Sequence, residues 1–81
     1  MVDHVVLSAN EKIKLDTTNN TITVVLCDAG SVQITNENNV VFATLQSAFE
    51  MFTLAIGTGV FTAENIGSSD VNILIFREFI Y

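Results

Sequence analysis

Val71-Asn72-Ile73-Leu74-Ile75-Phe76-Arg77-Glu78-Phe79-Ile80-Tyr81 is the stretch on which the fold turns. Successive side chains of a β-strand point to opposite faces. One face here carries Val71, Ile73, Ile75, Phe79 and Tyr81, and the other carries Leu74, Phe76 and Ile80. A strand with one face in water alternates apolar and polar residues; a strand that does not alternate is covered on both sides. A chain of 81 residues has little material with which to cover two faces. The expected cover is another copy of the chain or a larger assembly.

The composition points the same way. Charged residues make up 15% of the chain and apolar residues 49%, against about 25% charged in ordinary soluble domains. Interface cores are depleted in charge, so part of the outside reads as interface; the alternative is a monomer surfaced with Thr, Asn and Ser. The length suits one domain, residues 1–81, and so small a fold is marginal without a staple. Cys27 is the sole cysteine and His4 the sole histidine. An intrachain disulfide and a Cys/His zinc site are therefore excluded, and oligomerisation is the support that remains.

The net charge is −6, with Lys12, Lys14 and Arg77 the only cations. Phosphate binding needs clustered cations, as does an anionic membrane surface, so neither nucleic acid nor membrane is an expected partner. No apolar run approaches the roughly 18 residues of a membrane helix. The N-terminal Met-Val-Asp-His lacks the features of a signal peptide, and the expected compartment is a cytoplasm, or an assembly built there.

Proline is absent, so turns must come from Asn, Asp, Gly and Ser. They cluster at 8–11, 16–20, 28–30, 36–39, 57–59 and 65–70. Between them lie strand-like runs at 4–7, 12–15, 21–27, 31–35, 40–45, 48–56, 60–64 and 71–81. Regular short strands between turn signals predict a sandwich or barrel. In Lys12-Ile13-Lys14-Leu15-Asp16 the charges face out; in 21–27 Ile22, Val24 and Leu26 share one face, opposite Thr21, Thr23, Val25 and Cys27. The segment 47–56 reads two ways. Ser47-Ala48-Phe49-Glu50 fits a helix capping box, but the strand-like neighbours favour a strand.

No constellation for chemistry emerges. His4 has no second histidine or nucleophile motif beside it and reads as a solvated side chain. Cys27 lacks the nearby cations or helix N-terminus of a reactive thiolate and reads as buried and inert. The nine carboxylates are scattered; neither a glycosidase pair nor a calcium loop is visible. Gly57-Thr58-Gly59 runs into Val60–Glu64 rather than a helix, so it reads as a hairpin turn and not a phosphate loop. Arg77 and Glu78 point to opposite faces, each expected to find a partner on another strand or subunit, or to guard an edge.

The stretch Gly57-Thr58-Gly59-Val60-Phe61-Thr62-Ala63-Glu64-Asn65-Ile66-Gly67-Ser68-Ser69-Asp70-Val71-Asn72-Ile73-Leu74-Ile75 resembles the closing part of a jelly-roll or cupin-like sandwich. There a glycine turn leads into a strand, an Asn-x-Gly hairpin follows, and a last apolar strand closes the sheet. In metal-binding cupins the second motif carries a histidine four residues before the asparagine; here that position is Phe61, and the first motif's histidines and glutamate have no counterpart. The resemblance implies the shape without the metal. Small, acidic, proline-free, Asn/Thr-rich β-proteins of this kind are also similar to minor structural proteins of phage virions, such as capsid decoration (cement) proteins and small tail or fibre components. That likeness implies a homo-oligomer, commonly a trimer, on a virion surface.

The expectation is thus an all-β domain of about eight short antiparallel strands, a small jelly-roll-like β-sandwich or barrel. Its expected core is Ile13, Leu15, Ile22, Val24, Leu26, Val32, Ile34, Val41, Leu45, Phe52, Leu54, Phe61, Ile73, Ile75 and Phe79. The expected function is structural and non-enzymatic, without cofactor or metal: a self-associating virion component such as a decoration protein. Candidate contact residues are Phe42, Phe49, Phe76, Arg77 and Tyr81. The alternative is a small binding module for carbohydrate or protein, with Asn36, Asn38 and Asn39 as polar partners, and that reading suffers from the absence of Trp.

Overall fold

The computed structural model describes residues 2–79. Eight strands follow one another: β1 (Val2–Leu7), β2 (Lys12–Asp16), β3 (Asn20–Leu26), β4 (Val32–Asn36), β5 (Val41–Leu45), β6 (Met51–Leu54), β7 (Val60–Asn65) and β8 (Val71–Phe79). They form two four-stranded sheets, ordered β1-β8-β3-β6 and β2-β7-β4-β5, and every pairing is antiparallel. Each early strand pairs with the late strand that mirrors it in chain order, the winding of a jelly roll. Among the described residues the outer edges of β1, β6, β2 and β5 have no ladder partner, so the result is a sandwich and not a closed barrel.

Period-two burial explains the sheets. Along β3 the residues alternate between buried and half-buried, and β4, β7 and the first part of β8 follow the same rhythm. The core lies between the sheets and includes Leu15, Ile22, Val24, Leu26, Val32, Ile34, Ile73 and Ile75, all without solvent exposure. The accessible surface of 4689 Å² for an 8.8 kDa chain matches the roughly 4,800 Å² of a folded monomer that size. The inner faces therefore cover each other well within one subunit.

Four expected core residues lie elsewhere. Val41 is 49% exposed, because a β-bulge intervenes. Ala43 pairs with Ile34, but Val41 rather than Phe42 pairs with Thr35. The extra residue shifts the alternation and turns Val41 outward. Phe79 is 39% exposed; β1 ends opposite Phe76, and beyond it β8 has only β3 beside it. Ile13 and Phe52 are half-buried against the core, while Leu7, Ala63 and Val71 join it.

Three buried polar residues fasten the loops. Thr17 Oγ1 donates to the Gly59 carbonyl (2.6 Å) and accepts from its amide (3.0 Å). The Gly57 amide in turn donates to the Thr17 carbonyl, at 2.7 Å. Asn65 Nδ2 donates to the carbonyls of Leu7 (2.9 Å) and Ser69 (2.8 Å), and its Oδ1 accepts from the Gly67 amide (3.0 Å). Asn20 Nδ2 donates to the Asp16 carbonyl, 2.9 Å away. In the segment 47–56 only Met51–Leu54 is strand; Phe49 adopts φ 69° and turns the chain. Glu50 reaches back to the Ser47 and Gln46 amides (2.6 and 2.9 Å). Half of the capping box thus forms without a helix.

Candidate functional site

The outward positions of the two sheets differ in chemistry. On β2-β7-β4-β5 the cross-strand register sets Lys12 against Glu64, Lys14 against Thr62, and Gln33 against both Glu64 and Thr44. That face is mostly polar and charged, with Val41 exposed at its β5 edge. On β1-β8-β3-β6 the register makes two apolar rows. One runs Val2, Phe76, Thr23, Thr53; the next runs His4, Leu74, Val25, Met51. Val6 and Asn72 begin a third row. Val2 is 52% exposed, Val6 50%, Met51 61% and Phe76 43%, with Leu74 and Val25 half-buried between them. Scattered exposed apolar residues are ordinary; a contiguous set on one face marks a contact site.

Several polar groups on this face are bonded to one another. Thr23 Oγ1 and Thr53 Oγ1 share a hydrogen bond of 2.9 Å. The Asn72 amide NH and Nδ2 both donate to the Asp28 carboxylate (3.3 and 3.1 Å). A carboxylate only accepts, so Nδ2 must face it, and Asn72 Oδ1 is left to accept from His4 Nε2 at 2.9 Å. The polar edge of the face is therefore a small relay, His4 to Asn72 to Asp28. Cys27 ends the third row, half-buried rather than fully buried as expected. Its amide donates to the Asn72 carbonyl at 2.9 Å.

The candidate contact residues fall in different places. Phe76 lies within the apolar rows. Phe49 projects from the turn just before Met51 and is 76% exposed. Phe42 sits at the bulge on the opposite sheet, edge-on to Phe61 with ring centroids 5.0 Å apart and an interplanar angle of 80°. Arg77 Nη1 donates to Asp3 Oδ2 at 2.7 Å, so it has a partner on the neighbouring strand of its own subunit. Tyr81 lies outside the described residues. Nothing in the one-dimensional pattern marks Val2, Val6 or Met51, because their contribution arises only when strands distant in sequence become neighbours.

Depressions break the surface among the described residues. One, of about 330 Å³, lies between the β3–β4 and β7–β8 loops and is lined by residues including Gly30, Ser31, Ser68, Ser69 and Asp70. Another, of about 180 Å³, lies between β5 and β6 beside Phe42, Phe52, Leu54 and Phe61. The second is well below the roughly 300 Å³ at which small-molecule sites begin; it has room for a side chain. Three carboxylates are engaged in turns. Asp16 accepts from both the Thr18 hydroxyl (2.6 Å) and amide (2.9 Å), and these bonds hold it below the usual aspartate range. The amides of Gln46 and Ser47 do the same for Glu50. Glu11 accepts from the Ser8 amide.

With this geometry in view, the fold can be placed. It is a double-stranded β-helix of the cupin type. The Schizosaccharomyces pombe Cnp3 cupin domain superimposes with a TM-score of 0.79 at 16% identity over 98% of this chain and 55% of that one. A de novo designed double-stranded β-helix gives 0.77 at 11% identity, over 96% and 99%. A cupin domain of Bordetella pertussis Tohama I gives 0.70 at 12%, over 99% and 80%. The chain spans only about half of the Cnp3 structure. No family model matches the chain, and no characterised protein matches it in sequence. These likenesses concern the fold alone.

The metal site of metal-binding cupins does not fit these residues. Phe61, at the position of their histidine, is 3% exposed and fills the interior with an apolar ring. Among the described residues no group of three or more His, Cys, Asp or Glu side chains converges to hold an ion.

Proposed function

We propose that the protein is a non-enzymatic contact module that associates with a second copy of itself through the outer face of the β1-β8-β3-β6 sheet. One observation carries this reading. Of two sheets built from the same chain, one turns lysines, glutamate, glutamine and threonines to water, with Val41 an exposed apolar side chain at its β5 edge, and the other turns Val2, Val6, Val25, Met51, Leu74 and Phe76 outward beside Thr21, Thr23, Thr53 and Glu78.

Area and charge favour a second copy as the occupant. The four strands are 6, 9, 7 and 4 residues long, and at about 3.3 Å per residue and about 4.8 Å between strands they give a footprint of roughly 400 Å² before side-chain relief is counted. That relief brings the accessible area near the roughly 600 Å² per partner at which specific interfaces begin. The chain carries net charge −6, so two copies repel unless the contact is neutral, and on the four strands this face carries only His4 and Glu78. The rows are also self-complementary. A two-fold axis along the strands lays the bulky β1/β8 half over the flat β3/β6 half. Val2 and Phe76 then meet Thr53 and Thr23 of the partner copy, Leu74 meets Val25, and His4 meets Met51.

The test is the mass in solution. Light scattering should show a dimer forming over micromolar concentrations. Phe76→Asp should give a folded monomer, since the side chain lies outside the core, while Asn38→Asp should associate like the wild type. A wild-type monomer up to millimolar concentration refutes the reading. Within the proposal, a capsid or tail surface is the host assembly that the sequence resemblance suggests, and co-sedimentation with particles tests that part. A second reading, a protein-binding module, draws on the cleft between Phe42, Phe52 and Phe61 and on the cupin-type fold; it predicts a monomer whose partner contacts are lost with Phe42→Ser.

A further inference from the structure

Resting on the self-association just proposed, the geometry points to His4 as a proton-controlled switch of that contact. His4 stands at the β1 end of the middle apolar row, on an edge strand of the sheet, flanked on its own strand by Val2 and Val6 and across the sheet by Leu74. It is tied at 2.9 Å to Asn72 Oδ1, whose amide is held by Asp28. Because Oδ1 can only accept, Nε2 carries a hydrogen in either charge state. The second proton therefore enters at Nδ1, and the bond to Asn72 survives it. The protomer keeps its structure; only the charge on the face changes.

The surroundings determine the sign. On β1 the nearest charge, Asp3, points to the other side of the sheet and is engaged by Arg77 of β8. Glu78 of β8 is two rows away from His4. Asp28, in the loop after β3, already accepts two hydrogens from Asn72. Cys27 at the end of β3 has no charge to offer in the thiol form, β6 contributes Met51 and Thr53, and Glu50 before β6 is bonded within its own turn. Among the described residues no carboxylate contacts the imidazole directly, and the two-fold arrangement sets it against Met51 of the partner copy. A neutral imidazole can be buried there; an imidazolium loses its hydration with no counter-charge in contact. Histidine changes charge between about pH 5 and pH 8, so acidification should separate the copies.

Sedimentation equilibrium at pH 8 and pH 5 tests this, with far-UV circular dichroism to check that the sheets persist. Removing an imidazolium from water in each of two copies should raise Kd by an order of magnitude or more between pH 8 and pH 5. His4→Gln keeps a donor for Asn72 without a charge and should show one Kd at both pH values. His4→Lys should be monomeric at both. A wild-type Kd that is unchanged between the two pH values overturns the switch and leaves the dimer standing, as does a His4→Gln dimer that dissociates in acid like the wild type. A monomer at both pH values overturns the self-association itself.

Discussion

Asn65 is the residue whose environment most constrains what may replace it. It is fully buried, and its amide joins three segments through the Leu7 and Ser69 carbonyls and the Gly67 amide. Asn65→Ala would leave these groups unpaired, at a cost of about 1–3 kcal/mol for each that stays dry. The expected loss is about 3 kcal/mol, a large share of a small domain's stability, read as a lower urea midpoint at unchanged slope. Asn65→Asp should be worse, since a carboxylate there faces two carbonyl oxygens. Glu50 makes the opposite case, an exposed group that matters only while charged. The Gln46 and Ser47 amides hold it below its ordinary value of 4.5. A lowered carboxyl adds stability that is fully present above that value and fades as pH falls through the folded-state value. Glu50→Gln should therefore lower Tm modestly at pH 7, and the gap from wild type should narrow as the pH falls below 4.5. A gap that persists in acid would mean that the turn needs the side chain's shape and not its charge.

At the scale of elements, the start of β8 depends on a glycine in the β3–β4 loop. A Cβ at Gly30 would collide with Cγ1 of Val71, a core residue 1% exposed. Gly30→Ala should cost about 1–3 kcal/mol by overpacking, and Val71→Ala about 2 kcal/mol by leaving a void. The double variant should cost less than the two together by about 1 kcal/mol or more, because the new methyl occupies the space the valine leaves. Strict additivity in denaturant titrations would show that the loop moves aside instead. Elements were also the level most legible in the sequence. The period-two runs and the Asn/Gly/Ser clusters place all eight strands; the unalternating apolar run 71–81 reads as covered on both faces, whereas within the subunit only the inner face of β8 is buried and Phe76 stays exposed. What stayed hidden depends on partners distant in the chain. The bulge that turns Val41 outward is a register event between β4 and β5. The clamp of Thr17 on Gly59 joins loops far apart in sequence. Ser47-Ala48-Phe49-Glu50 satisfies a local rule for a helix start, but Phe49 takes a left-handed backbone and the segment joins β6 instead. The apolar face was half legible: Phe76 and Leu74 stand out in β8, whereas Val2, Val6 and Met51 acquire meaning only through register.

The molecule as a whole is a slab, 38 × 27 × 17 Å, and a slab has two broad faces. Its interior resembles that of any monomer, so stability alone does not require a partner; the sequence-level argument that one subunit could not cover β8 holds only for the outer side. What needs explaining is why one broad face is wet and the other dry, and the two-fold arrangement makes a geometric prediction about it. His4 and Met51 stand at opposite ends of one row, three strand spacings or about 14 Å apart within a subunit, too far for a disulfide. Across the proposed axis each lies against the other's counterpart. In a background carrying Cys27→Ser, the variant His4→Cys/Met51→Cys should oxidise to a dimer closed by two disulfides, with little monomer or higher polymer on a non-reducing gel. Either single cysteine should cross-link poorly, because the axis separates each residue from its own copy. If the single His4→Cys variant cross-links best, the axis runs across the strands and β1 faces β1. If every variant stays monomeric under oxidant, the dry face does not meet itself.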